Sequence, residues 1–147
     1  MKILIDADAC PVVDLTIEIA KSFNKEVILF CDTAHELKKD GAKTITIAQG
    51  PDAVDFALLS SVEENDIIIT QDFGLASMIL TKNAHCLNQN GLIYNKFNIE
   101  SLLFSRHMSQ KMRNSGKRTK GPKKRTTDNN ISFKESLISL IKKNQVL

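Results

Sequence analysis

The chain has no tryptophan and one tyrosine, Tyr94, beside seven phenylalanines. So few large rings make base stacking a minor resource, and any nucleic acid is expected to be recognised by its backbone and shape. Cys10, Cys31 and Cys86 are odd in number and lack C-x-x-C spacing. That argues against a disulfide framework or a zinc knuckle and points to a reducing cytoplasm. No apolar stretch approaches the roughly 18 residues that cross a bilayer, and no cationic segment leads into a long apolar run. Neither membrane insertion nor export is expected. P-loop, GxGxxG, HExxH and Gly-x-Ser-x-Gly patterns are absent, and His35, His85 and His107 are too scattered to suggest a ligand set.

What is present fits one domain: 147 residues with a 42% apolar fraction. The net charge of +3 hides a division along the chain. Residues 1–105 carry 8 basic and 15 acidic side chains, net −7, whereas residues 106–125 carry 9 basic and none acidic. An acidic body with a basic segment attached suggests a polyanion held by the segment and presented to acids on the body.

The first of those acids follow Ile3-Leu4-Ile5, a continuous apolar run of the kind a strand buried on both faces shows. Asp6 and Asp8 stand just past its end, and Pro11 precedes a helix whose apolar positions are Val12, Leu15, Ile19 and Ala20. Two anions so close in a partly desolvated crevice need a proton or a cation between them. A hard divalent ion, Mg²⁺ or Mn²⁺, suits oxygen ligands. Val27 to Phe30 reads as a second strand, with Asp32-Thr33 as a helix start, and Lys43 to Ala48 reads as a third, half-exposed strand.

Gly50-Pro51-Asp52 opens a helix with an apolar stripe of Val54, Leu58, Leu59 and Val62. Asp55 lies three, four and seven residues before the last three, so it points along the buried face, where a carboxylate is costly without a cation or several donors. Ile67-Ile68-Ile69 reads as the central strand and runs into Thr70-Gln71-Asp72 before another helix. Asp72 thus repeats the placing of Asp6. Two such strands side by side would bring Asp6, Asp8 and Asp72 into one crevice at their carboxyl ends. A short fifth strand near Asn83 to Leu87, a helix from Phe97 to about Met112 and a terminal amphipathic helix complete the reading. The boundaries expected are an α/β body over 1–113, a basic loop or arm over 114–130, and a helix over 131–147 folding back on the body.

Ile-Asp-Ala-Asp-Ala-Cys-Pro-Val (Ile5 to Val12), Gly-Pro-Asp-Ala-Val-Asp (Gly50 to Asp55), Thr-Gln-Asp-Phe-Gly-Leu-Ala (Thr70 to Ala76) and Thr-Lys-Gly-Pro (Thr119 to Pro122) occur in this order. With them the sequence closely resembles the bacterial YaiI/YqxD family, also called UPF0178 or DUF188, over nearly its whole length. That family looks like a branch of the PIN-like nuclease superfamily, whose members set carboxylates from several strand ends around Mg²⁺ or Mn²⁺. The resemblance matches Asp6 to the acid after the first strand, Asp55 or Asp52 to the acid on the mid-chain helix, and Asp72 to the acid after the fourth, with Thr70 supporting it. Asp8 belongs to the family's own motif.

The expectation is therefore a three-layer α/β/α, PIN-like domain with a parallel sheet of four or five strands and a basic C-terminal appendage. Its expected activity is metal-dependent phosphodiester hydrolysis, with RNA favoured. Asp6, Asp55 and Asp72, with Asp8 or Asp52, would hold Mg²⁺ or Mn²⁺ and serve catalysis. Arg106, Arg113, Lys117, Arg118, Lys120, Lys123, Lys124 and Arg125 would bind backbone phosphates. Two alternatives stay open: a nucleic-acid-binding protein on a nuclease-like scaffold, and an Asp-x-Asp phosphatase with Asp6 as nucleophile.

Overall fold

The computed structural model describes residues 1–50, 52–116 and 124–145. Within them β1 (Ile3–Asp6), β2 (Val27–Asp32), β3 (Lys43–Ile47), β4 (Ile67–Ile69) and β5 (His85–Leu87) form one parallel sheet in the order β3-β2-β1-β4-β5. The helices are α1 (Val13–Ser22), α2 (Ala53–Ser61), α3 (Phe73–Leu80), α4 (Lys96–Asn114) and α5 (Thr127–Gln145). Pro51, expected at the first position of α2, lies outside the described residues.

The strands read as unbroken apolar runs because successive side chains enter two different cores. Ile3, Ile5, Val27, Leu29, Ile67 and Ile69 pack with Val13 and Ile19 of α1 and with Phe133, Leu137 and Ile141 of α5. Leu4, Ile28, Phe30 and Ile68 face the other way, against Leu58 of α2, Leu75 and Ile79 of α3 and Ile99 of α4. Three layers follow from that alternation. β3, which pairs with β2 alone, is the partly exposed edge.

Strand order runs outward from β1 to β3, then resumes on the other side of β1 with β4. The carboxyl ends of β1 and β4 therefore flank the point where the winding reverses, and an open parallel sheet has its natural crevice there. At the opposite end Asp66, 2% exposed, accepts from the Lys2 amide at 3.0 Å and from Lys2 Nζ at 2.6 Å, tying β4 to the start of β1.

The C-terminal boundaries differ from those read in the sequence. α4 continues to Asn114, and the last helix begins at Thr127 rather than 131, its polar first turn Thr-Asp-Asn-Asn carrying no apolar mark. That helix packs on the sheet. Phe133, Leu137, Leu140 and Ile141 are buried, which at about 1.5–3 kcal/mol per side chain amounts to about 6–12 kcal/mol of apolar burial, comparable with a whole domain's net stability. Gly91, at φ +87°, touches α5 so closely that a Cβ there would lie 2.5 Å from the Ser132 carbonyl oxygen. Ser136 Oγ donates to the Gly91 carbonyl at 2.6 Å.

Arg125 belongs to the same clamp. Its guanidinium donates to the Gln89 carbonyl at 2.6 Å, to Asn90 Oδ1 at 3.2 Å and to Asn130 Oδ1 at 2.7 Å. Three of its five N–H groups thus hold the entry to α5 against the β5–α4 loop. Lys117, Arg118, Lys120 and Lys123, and with them the Thr119 to Pro122 motif, lie outside the described residues.

Candidate active site

Asp6 is the last residue of β1 and half-buried. One residue past the end of β4, on the neighbouring strand, stands Thr70, 1% exposed. Its hydroxyl donates to Asp6 Oδ2 at 3.0 Å and accepts from the Asp72 amide at 3.1 Å. One buried hydroxyl therefore sets the distance between the carboxylate of β1 and the turn after β4. Tyr94 OH donates to the Thr70 carbonyl at 3.2 Å and fixes that turn from behind. Tyr94 is only 2% exposed, so the chain's one tyrosine offers no ring for stacking.

Asp72 is the N-cap of α3, accepting at Oδ1 from Gly74 N at 2.9 Å and Leu75 N at 3.2 Å. Capping does not exhaust it, because Arg106 Nη1 stands 3.7 Å from the same oxygen. Asp55, in the first turn of α2, lies close enough to Asp72 to feel its charge. Desolvation, followed by the charges of Asp72, Asp6 and Asp52, pushes Asp55 up to about 6. Desolvation also raises Asp6 above the ordinary carboxylate range; the Thr70 hydrogen bond opposes this, while Asp72 and Asp8 reinforce it. The neighbouring carboxylates thus disfavour ionisation of Asp6 and Asp55.

Two adjoining hollows, of about 360 and 250 Å³, share Asp6 and Asp8. Asp72, Gln71, Phe73 and Arg106 complete the first. Asp32, Asp52, Asp55 and the Gly50 turn complete the second. All five predicted acids thus border one crevice. Asp8 is a rim residue, with its side chain 57% exposed. Asp52 is exposed too; it occupies the N-cap position of α2 in a left-handed conformation, φ +57°, and its side chain makes no capping bond.

The family model described as "Uncharacterized BCR, YaiI/YqxD family" matches residues 4–143. The chain belongs to this family. It is 50% identical over 141 residues to a UPF0178 protein of Exiguobacterium sibiricum, covering 96% of each chain. UPF0178 proteins of Lachnoclostridium phytofermentans and Ruminiclostridium cellulolyticum are 48% and 46% identical, with 97% of this chain aligned in both cases and 97% and 93% of theirs. No solved structure matches the chain. Membership of the YaiI/YqxD family spans both the acidic crevice and most of α5. No helix among the described residues is long and apolar enough to cross a membrane.

Sequence reasoning missed Asp32 and His35. Asp32 ends β2 and borders the second hollow, so it obeys the same acid-after-strand pattern as Asp6. No helix starts there. Asp32 Oδ1 instead accepts from the amides of Ala34 at 3.0 Å and His35 at 2.9 Å, and meets His35 Nδ1 at 2.9 Å. The hydrogen bond to Asp32 raises the imidazole pKa, and Asp8 Oδ1 lies 3.9 Å away. Arg106 thus borders the first hollow, and His35 stands beside Asp32 and Asp8, which border the second. Of the expected phosphate ligands, Arg113 is exposed near the end of α4 and Lys124 is exposed before α5, whereas Arg125 is committed to the clamp described above.

The donor set suits a hard cation. Asp6, Asp55 and Asp72 supply oxygen alone; Cys10 beneath the turn is half-buried and its thiol is raised by that burial. Among the described residues no three His, Cys, Asp or Glu side chains form a ready-made cage for a metal.

Proposed function

We propose that the crevice hydrolyses phosphodiester bonds of nucleic acid, RNA in preference, with Mg²⁺ or Mn²⁺ held by Asp6, Asp55 and Asp72. The observation that carries this reading is the convergence of these carboxylates, from β1, α2 and the start of α3, on two adjoining water-accessible hollows that share Asp6, the first of them rimmed by Arg106. Such mutually repelling acids lower the stability of a protein unless something positive sits among them. When bound, the ion lowers the pKa of a water and offsets charge on the scissile phosphate.

The chain's own groups do the rest. Thr70 fixes the separation of Asp6 from Asp72, so the acids cannot spread apart to relieve their repulsion. Arg106 carries a positive charge to the rim for a phosphate that would otherwise meet only anions. Arg113, one turn of α4 beyond Arg106 and then another, extends that charge along the helix; Lys124 and the basic residues outside the described region add to it in sequence. An Asp-x-Asp phosphatase would place a lysine against the pair, whereas the basic side chains found beside the crevice acids among the described residues are Arg106 and the His35 imidazole.

The test follows cleavage of labelled RNA while Mg²⁺ or Mn²⁺ is titrated into the protein and into Asp6→Asn and Asp72→Asn. Asparagine caps a helix as well as aspartate does, so Asp72→Asn should keep α3 and lose the charge. Metal-dependent cleavage lost in both variants is the expected result. RNA bound in a salt-sensitive way, with no metal dependence and no cleavage, would refute it in favour of a binding module. Arg113→Ala should lower the salt slope of RNA binding by about 1.

A further inference from the structure

A groove of about 360 Å³ leaves the crevice between α2 and α3. At its head are Asp52, Asp55, Asp72 and Arg106, which it shares with the hollows already described. Its walls are different in kind: Phe56 and Leu59 on α2, Leu75 and Met78 on α3. Phe56 is 63% exposed and Met78 42%, so a full aromatic ring is held in water within one helical turn of Asp55. A ligand that covers that ring removes apolar surface from water, which favours its binding.

We propose that this groove is a base subsite, taking the unpaired nucleobase of the nucleotide next to the scissile phosphate, with Phe56 and Met78 as its walls. The proposal rests on the phosphodiesterase reading of the crevice and adds to it where the base lies. Size is the first argument. The volume is at the low end of the about 300–1,000 Å³ of small-ligand sites, room for one nucleotide and not for a helix or a strand of a partner protein. Chemistry is the second. A base presents apolar faces to a phenyl ring and a thioether, and its edge carries N–H donors that the exposed Asp52 carboxylate, which is not among the proposed metal ligands, can accept, while Arg106 stands where the attached phosphate arrives. Charge is the third. A second copy of the chain docking by the same face would bring its own Asp52, Asp55 and Asp72 against these, a juxtaposition that costs binding energy.

The test compares adenosine monophosphate with ribose phosphate, which has the phosphate and lacks the base, each titrated into isotope-labelled full-length protein with Mg²⁺ present. Adenosine monophosphate should move the resonances of Phe56, Leu59, Gly74 and Met78, and ribose phosphate should leave them in place. Phe56→Ala, at an exposed position, should fold normally, weaken the nucleotide about tenfold, the order of one stacked base, and leave ribose phosphate binding unaltered. Equal shifts with both ligands, no shifts in the groove, or unchanged affinity in Phe56→Ala would overturn the subsite. So would groove resonances that move on diluting the protein alone, the mark of self-association. Groove binding without any metal-dependent cleavage would keep the base site and remove the hydrolytic reading; cleavage indifferent to Phe56→Ala and to an abasic nucleotide would do the reverse.

Discussion

Replacing Asp55 by asparagine should make the protein more stable at neutral pH, although Asp55 lies at the centre of the candidate site. The carboxyl is raised from 3.8 to about 6, with desolvation the first cause and the charges of Asp72, Asp6 and Asp52 following. At 1.36 kcal/mol per pKa unit, that displacement disfavours the charged form by about 3 kcal/mol. Asp55 is only half-buried, and water screens part of this, which leaves about 1–2 kcal/mol. The direction with pH follows from proton binding. Between 3.8 and about 6 the folded state holds the Asp55 proton more tightly than the unfolded chain does, so the contribution is fully present at low pH and is lost as pH rises through 6.

Asp55→Asn removes a charge that the folded state tolerates poorly only where it is ionised. The gain in Tm should therefore be about 3–6 °C at pH 7 and close to nothing near pH 4, measured by thermal melts of both proteins in buffer free of divalent ions. Adding Mg²⁺ should narrow the difference at pH 7, because the ion stabilises whichever folded protein binds it better. A variant less stable than the wild type at pH 7, or a gain of the same size at pH 4, would refute the account of mutually repelling acids.

Two further substitutions probe the frame around the crevice. Gly91→Ala drives a Cβ onto the backbone of α5 at Ser132, in a left-handed conformation that alanine adopts poorly, and should destabilise by about 2–5 kcal/mol, read from denaturant unfolding with CD at the α-helical band. Ala9→Gly relieves the φ of +54° that alanine holds in the turn after Asp8; it should raise stability by up to about 1 kcal/mol while weakening Mn²⁺ affinity by calorimetry, and unchanged affinity would show that the strained turn has no part in placing the acids.

Most of the architecture was legible because each strand announces itself by being wrong for water on both faces. Ile3-Leu4-Ile5, Val27 to Phe30 and Ile67-Ile68-Ile69 alternate between two cores, and a run without polar interruption is what that alternation leaves in a sequence. The acids were legible by the opposite contrast. Asp6 and Asp72 end or closely follow such runs, and Asp55 breaks an apolar stripe, so each stands out against neighbours that avoid charge. Asp32 follows the same rule after β2, yet a following threonine made it look like a helix start, whereas the chain after it forms a turn and its carboxylate meets His35 Nδ1.

What stayed hidden depends on two segments meeting. Arg125 sits in a basic run and reads as surface charge; its partners Gln89 and Asn90 are 36 and 35 residues away, and nothing local marks them. The first turn of α5 is polar because its packing face begins only at Phe133, so the apolar period starts late. Phe56 falls off the stripe of α2 and is exposed, but outward of α2 is also toward Met78 of α3, some twenty residues on. The carboxylates mark where chemistry can occur, since their repulsion can be inferred from type and position alone. What the crevice accepts is written in the faces between helices, and those faces exist only once α2, α3 and α4 have packed on the sheet.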